Sequence, residues 1–488
     1  MTNVFQRFGI KLTTFIVLVY LTAGLASSAS ASGNNWMGGV DGSQTVSQIS
    51  IPGTHDSGAL YEPISGTAKC QNLSITDQLN AGVRCLDIRC RHINNAFAIH
   101  HGQVYENENF DDVLNAVSTF LSNNPSETVL MSVKEEYTAS GDTESFEQTF
   151  DNYVTKNPGI WYLGANIPAL NSVRGKIVLI RRFGATNLPT GIDASNWPDN
   201  TTFTTGATLR VQDNYNVSNN NTKWSQVLQV LNEAYFGAPS MLYINFASGV
   251  QSGLFGIPNI PAVSNAINPN LTNYFAANTG GRFGVVMMDF VNAGMCSMVY
   301  NTNAALNYTV VAGENQTVYF GSPADVAYGA NGSFYNRYAV SGNFTFSNTT
   351  FGGDPIFGVA KSGLARPFLK AVAEGNAVNF VTPVEAAYGA NGNYLFNWGT
   401  SGVVTFTNTA FGGDPIPNVA KAGYFVQYTR CADENGSVTF TSPTDLAYGA
   451  NGQYIFRHAF TGTITFNNST FGDPISGVAK GGYYRPSH

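Results

Sequence analysis

Charged side chains are scarce in this 488-residue sequence: Lys, Arg, Asp and Glu make up 11% of it, and the formal net charge is −7. Holding a phosphate polymer takes a basic surface, so the balance excludes nucleic acid as a partner. Histidine is scarcer still, at six residues, so a histidine set beside a carboxylate calls for an explanation. The five cysteines are Cys70, Cys85, Cys90, Cys296 and Cys431, and the odd count excludes complete pairing within one chain. Beyond the N-terminal segment no apolar run is long enough to span a bilayer.

What is abundant is Gly, Phe, Tyr, Asn and Thr, a mix suited to β-rich, turn-rich structure. The length allows two or three domains. At the N-terminus Arg7 and Lys11 precede the apolar run FIVLVYLTAGLA (15–26), and SSASAS (27–32) follows with the small-residue site Ala29-Ser30-Ala31. That order is a secretory signal, expected over 1–31. Secretion in turn predicts oxidised cysteines. In a eukaryotic secretory pathway the sequons at Asn72, Asn200, Asn216, Asn270, Asn343, Asn348 and Asn435 would carry glycans.

The chain changes character near residue 305. One pattern then returns three times, starting at Ser322, Thr382 and Ser442, and Tyr328, Tyr388 and Tyr448 each head the same YGANG. Segments such as GNFTFSN and GTITFNN alternate apolar and polar residues between Gly-Asn and Asp-Pro turns, which is period-two β structure. Three small β modules are expected, over 313–371, 372–431 and 432–488. Their aromatics either stack on sugars or fill three small cores. Lys361, Lys421 and Lys480 recur without a nucleophile–base arrangement, so no chemistry is expected there.

Between 37 and 305 short apolar runs alternate with helical periodicity. Strands are predicted at 47–51, 83–89, 96–101, 127–133, 176–181, 208–213, 241–246 and 283–288. Helices are predicted at 110–122, 143–156, 223–235 and 261–277. Eight strands with interleaved helices give an α/β fold, a distorted TIM (β/α)8-type barrel, followed by the small all-β repeat modules. The barrel is expected to be irregular, because CRHINN (90–95) is too short for a crossover helix between strands two and three.

At or just past the C-terminal ends of these runs lie His55/Asp56, Arg89, His101, Lys134/Glu136, Arg182, Asp213 and Asp289. That rim of a barrel carries the active site. Two histidines allow one to take a proton while the other gives one. A guanidinium such as Arg89 has the planar fork that fits phosphate oxygens and supplies charge to the transition state. The set points to phosphoryl transfer by acid–base catalysis, with Asp56 and Asp87 committed as partners of a His or an Arg, and to no metal.

The blocks ISIPGTHDSG, GVRCLDIRCR, IHHGQVY, NPSETVLMSVKEEY, GKIVLIRRF, WPDNTTFTT, VQDNYNV, LYINF and GVVMMDFVN occur in this order. Together, over roughly 45–300, they closely resemble the bacterial-type phosphatidylinositol-specific phospholipase C family. The resemblance implies a Ca²⁺-independent lyase without a cofactor, acting at a phosphatidylinositol-containing membrane surface. It implies His55 as general base with Asp289 as its orienting carboxylate. It implies His101 as general acid assisted by Asp56, and Arg89 as phosphate clamp beside Asp87. Lys134, Arg182, Asp213 and Tyr215 resemble the inositol-binding set. His100 is set aside as the acid, because strand neighbours point to opposite faces. Asp56 after the first His, and Arg89 in DIR, match the metal-free branch of the family. Leu60, Tyr61, Leu254 and Phe255 are candidates for a rim that enters lipid.

Two rival readings stand beside the secreted phospholipase. One is a binding protein with an inactive barrel, whose repeats take a glycan or cell-surface ligand. The other is a Ca²⁺-dependent phosphodiesterase.

Overall fold

The computed structural model describes residues 33–488, Ala207 and Gly332 excepted; the signal expected over 1–31 lies outside the described residues. Runs that are apolar at nearly every position, such as IVLIR and VVMM, can only be covered on both faces, which is the condition for parallel strands. The first region builds β1 (Ile51–Thr54), β2 (Cys85–Ile93), β3 (Ala96–His101), β4 (Val104–Asn109), β5 (Val129–Glu135), β6 (Trp161–Tyr162) and β7 (Ile177–Arg181). It continues with β8 (Ile192–Asp193), β9 (Thr202–Thr205), β10 (Leu209–Gln212), β11 (Leu242–Phe246), the short ribbon β12 (Gln251–Ser252) and β13 (Pro258–Asn259), and β14 (Val285–Met288). The main helices are α1 (Ile75–Ala81), α2 (Phe110–Asn123), α3 (Phe146–Lys156), α4 (Leu170–Val173), α5 (Asn220–Phe236), α6 (Pro261–Ala277) and α7 (Ala293–Tyr300).

Strands β7, β5, β2, β1, β14, β11 and β10 lie side by side and parallel. β6 and β9 end the path without pairing to each other, so the distorted barrel stays open. Helix α2 shows how local sequence builds the outer layer. Asn109 and Asp112 form a capping box at its start, and Phe110, Val113, Leu114, Val117, Phe120 and Leu121 make one buried face.

Three expectations are corrected. β3 is not a parallel stave: it runs antiparallel to β2, with Cys90 opposite Ile99, and lies off the barrel path. The connection is Asn94–Asn95, both at positive φ, the two-residue turn that matches strand twist. The first strand is Ile51–Thr54, not 47–51, and Val46–Gln48 is a single 3₁₀ turn. Ser50 cannot join the ladder, because the Asn303 side chain bonds both its N–H (2.7 Å) and its carbonyl (2.9 Å). Gly53 then sits inside the barrel, where a Cβ would lie 2.4 Å from Met287 Sδ. Finally, all five cysteines are free thiols rather than oxidised. Cys85 and Cys90, five apart on one strand, are about 16 Å apart by strand rise, far beyond disulfide reach.

Each repeat folds into a four-stranded antiparallel sheet. The first comprises β15 (Thr309–Gly313), β16 (Thr317–Ala330), β17 (Ser333–Thr345) and β18 (Ser362–Pro367). The others span 369–427 and 429–486 in the same order. Each sheet thus starts several residues before the expected module boundary, because its opening edge strand lies outside the repeated motif. The YGANG tyrosines are core: the hydroxyls of Tyr328, Tyr388 and Tyr448 donate to Glu314, Glu374 and Glu434 and lie within hydrogen-bond distance of the Asn348, Asn408 and Asn468 side chains. Lys361, Lys421 and Lys480 are buried ion-pair members with Asp354, Asp414 and Asp473 of the Asp-Pro turns.

The second sheet docks on the barrel. Helix α5 leaves the C-terminal end of β10, and at its far end Tyr235 and Phe236 pack on Phe425 and Phe380, with ring centres 5.7–5.9 Å apart. Tyr235 also donates to the Lys370 carbonyl (2.7 Å). At the position of Phe425 the flanking repeats carry Ala365 and Tyr484. Truncation of Phe425 to Ala should cost about 3–5 kcal/mol and uncouple the two cores. Calorimetry should then show two transitions where the native chain should show one.

Candidate active site

Parallel pairing sets the two ends of the site in register. Thr54 of β1 lies opposite Met288 of β14, so the residues that follow, His55 and Asp289, are neighbours. Asp289 Oδ1 accepts from His55 Nδ1–H at 2.8 Å, which leaves Nε2 free as a base. Burial alone would push the His55 imidazole down. The Asp289 carboxylate, with help from Asp56 and against Arg89, overcomes this and raises it above the ordinary histidine value.

Asp56 follows in a left-handed conformation (φ 40°), rare for a residue with a Cβ. Its backbone N–H is held by Asp87 Oδ2 (3.2 Å), and the turn aims its carboxylate at Arg89 Nε (3.6 Å) and His101 Nε2 (3.8 Å). Burial raises the Asp56 carboxyl above the usual range, against the pull of Arg89, His101 and His55. His101 ends β3 and donates through Nδ1–H to the Ala68 carbonyl (2.6 Å), so its Nε2 faces the site. The His55 and His101 rings stand edge to face with centres 6.4 Å apart. His100 points away, its Nδ1 toward the Gly102 carbonyl and its ring over Tyr137.

Arg89 and Lys134 are register neighbours on β2 and β5. Arg89 pairs with Asp87 at 3.1 Å, and Arg182, one residue past β7, reaches the other oxygen of Asp87 at 3.3 Å. Burial would raise the Asp87 carboxyl; Arg89 and Arg182 instead hold it far below the usual range. Lys134 pairs with Glu136 (2.7 Å), and burial together with Arg89 depresses its pKa. Arg182 sits over the Trp197 ring, its guanidinium carbon 3.8 Å from the ring centre. Trp197 Nε1–H donates to Asp213 Oδ2 (2.9 Å). Tyr215 is farther out, its hydroxyl on Asp199 (2.9 Å).

The structure therefore brings His55, Asp56, Asp87, Arg89, His101 and Asp289 into one cluster. Lys134, Arg182 and Asp213 form a second wall, and Tyr215 stands at its edge. Sequence reading gave no role to four other residues. Trp197, from WPDN, joins Arg182 to Asp213. Glu136 pairs Lys134 and accepts from the Gly102 N–H (3.1 Å). Lys223, buried on α5 and pushed down to about 7 by burial, donates to Gln212 Oε1 and the Asn214 carbonyl on either side of Asp213. Cys70 is buried between the two histidines, and burial holds its thiol well above the usual range. Of these only Glu136 sat at a predicted strand end.

Residues 43–183 match the model of the phosphatidylinositol-specific phospholipase C X domain. A 1-phosphatidylinositol phosphodiesterase of Staphylococcus aureus is 34% identical over 290 residues, covering 56% of this chain and 92% of the relative. The chain belongs to the phosphatidylinositol-specific phospholipase C family. A relative of the same name from Listeria monocytogenes is 28% identical over 52% of this chain and 80% of its own length. A crystal structure of the S. aureus phosphatidylinositol-specific phospholipase C with incorporated pentafluoro-Phe superposes with a TM-score of 0.52 at 33% identity. It covers 56% of this chain and 98% of that one. In this phospholipase C family member the X-domain match, residues 43–183, lies wholly within the barrel region and outside the three C-terminal sheets.

The His55–Asp289 pair gives a direct test. Replacing Asp289 by Asn removes the charge that outweighs burial, so the His55 pKa should fall below its native value. NMR titration of the imidazole resonances checks the direction, and an unchanged or raised value would contradict the pairing.

Proposed function

We propose that this protein is a secreted phospholipase C that cleaves phosphatidylinositol to diacylglycerol and inositol 1,2-cyclic phosphate by metal-independent acid–base catalysis. The observation that carries this is the placement of two separately oriented imidazoles, each with its own carboxylate, around one guanidinium. His55 Nε2 takes the proton of the inositol 2-hydroxyl, and that oxygen attacks phosphorus. The phosphorus–oxygen bond to diacylglycerol breaks, and the leaving oxygen takes a proton from His101 Nε2–H. Arg89, fixed by Asp87 and Asp56, faces the non-bridging oxygens where charge grows. In a slower second step the roles reverse, and water opens the cyclic ester. Lys134, Arg182, Asp213 and Tyr215 line the side on which the inositol hydroxyls would rest.

Contact with a membrane is supported by the rim. The loop after β1 and the β12–β13 ribbon both lie at the barrel end that holds the site, and the Ile260 N–H bonds the Gly66 carbonyl between them (3.0 Å). They expose Tyr61, Ile64, Ile257 and Phe255, the last 91% accessible. Leu60 is only partly exposed. None of the described helices is long and apolar enough to cross a membrane, so contact would be peripheral. A glycan or cell-surface ligand for the repeats has narrower support. The recurring aromatics are core, and the large exposed ones, Tyr319, Phe334, Tyr335 and Phe357, all belong to the first repeat.

In ³¹P NMR with phosphatidylinositol vesicles and EDTA, the native chain should release a cyclic phosphodiester. His55→Ala should lose on the order of 10²–10⁴-fold in rate. His101→Ala should lose as much on the natural lipid but far less on an ester with a low-pKa phenol as leaving group, which needs no general acid. Full activity of either variant on the natural lipid would overturn the assignment. Phe255→Ser should weaken vesicle binding while sparing hydrolysis of soluble inositol 1,2-cyclic phosphate.

A further inference from the structure

The loop after β1 folds back over the site and leaves Cys70 at its floor. Three backbone bonds pin the fold-back: Cys70 N–H and Gln71 N–H to the Ala59 carbonyl, and Phe290 N–H to the Cys70 carbonyl. The Gln71 amide adds two more, to the carbonyls of His55 and Met288 (2.8 Å each). The thiol has no part in the acid–base chemistry above. Its sulfur lies 3.4 Å from the Ala68 carbonyl and 3.9 Å from His101 Nδ1. It completes two overlapping donor sets, His55–Cys70–Asp289 and Asp56–Cys70–His101, with the donor atoms of each within 4.8 Å of one another. Asp289 Oδ2 and both carboxylate oxygens of Asp56 are buried and have no hydrogen-bond partner among the described residues.

From this geometry we infer an inhibitory site for one thiophilic divalent cation of the zinc class, held by Cys70, His55 and Asp289. Sulfur, imidazole nitrogen and carboxylate oxygen are the donors such an ion takes. Around a tetrahedral ion they stand about 3.3–3.6 Å apart, so no pair in the set need close by more than about 1.5 Å. Entry is through the substrate opening, where His101 is partly exposed. On binding, the thiol proton leaves to solvent and a thiolate–metal bond forms. The ion then holds the base and its orienting carboxylate, so His55 no longer takes a proton from substrate. Hard cations such as Ca²⁺ and Mg²⁺, which prefer all-oxygen shells, leave the enzyme unaffected. The inhibition rests on the proposed reaction; the binding does not.

The test uses the full chain, stripped with EDTA and titrated with Co²⁺ as a spectroscopic stand-in for Zn²⁺. One equivalent should produce a thiolate-to-cobalt charge-transfer band, which Zn²⁺ displaces and which Cys70→Ser abolishes although four other cysteines remain. Zn²⁺ should inhibit phosphatidylinositol cleavage reversibly. Cys70→Ser should keep the basal rate and need roughly tenfold more Zn²⁺ or above for half inhibition. If that variant does not fold, as judged by circular dichroism, Cys70→Ala takes its place, and the band in the native chain still decides. Absence of the band, or equal Zn²⁺ sensitivity of native chain and variant, would overturn the site. A band without any lipase activity would instead overturn the proposed reaction and leave the metal site standing.

Discussion

The cationic pocket depends on one buried carboxylate, Asp87. Arg89 and Arg182 both bear on it, and Lys134 stands beside Arg89 in register. Like charges gathered in a low-dielectric site repel one another strongly. Asp87 offsets this by facing both guanidiniums, and it also accepts from the Asp56 N–H and faces the Ser132 hydroxyl (3.4 Å). Without it Arg182 would lose its ion pair and Arg89 would keep only the longer one to Asp56, leaving buried positive charge under-compensated. Because the same oxygen holds the Asp56 backbone in its left-handed turn, Asp87 also fixes where Asp56 points. Arg89, Asp56 and Arg182 therefore share one anchor.

The sequence reveals the parts of this site that local pattern can encode. Apolar strands end in charged residues because the barrel interior excludes charge and its rim does not. His55, Lys134, Arg182, Asp213 and Asp289 could therefore be placed at strand ends one run at a time. What it could not reveal depends on partners far along the chain. The first strand begins late because Asn303, some 250 residues away, takes Ser50 out of the ladder. Trp197 matters because Arg182 sits over it and Asp213 accepts from it, and neither contact leaves a periodic trace. The length of CRHINN signalled that β3 could not follow a crossover, but its reversal depends on two asparagines adopting positive φ.

The cysteines make the same point in chemistry. A secretory signal argued for oxidised thiols, yet each sits in separate surroundings: Cys70 at the site floor, Cys85 and Cys90 along one strand, Cys296 on α7 and Cys431 in the third sheet. In the repeats, copied residues proved structural and uncopied ones specific. Tyr328 and its two counterparts fill cores, whereas Phe425 joins the sheets to the barrel because it departs from its counterparts.

Helix α5 carries the chain from the site end of the barrel to the opposite end before the second sheet docks. The exposed apolar rim and the docking contact of the second sheet thus lie at opposite ends of the barrel. A molecule resting on a bilayer would hold its sheets outward, clear of headgroups. Lipid contact and any contact made by the sheets would not compete for space, so they could be engaged together. Attachment of the sheets to a neighbouring surface would then raise the local concentration of the catalytic face over lipid without altering a residue in the pocket.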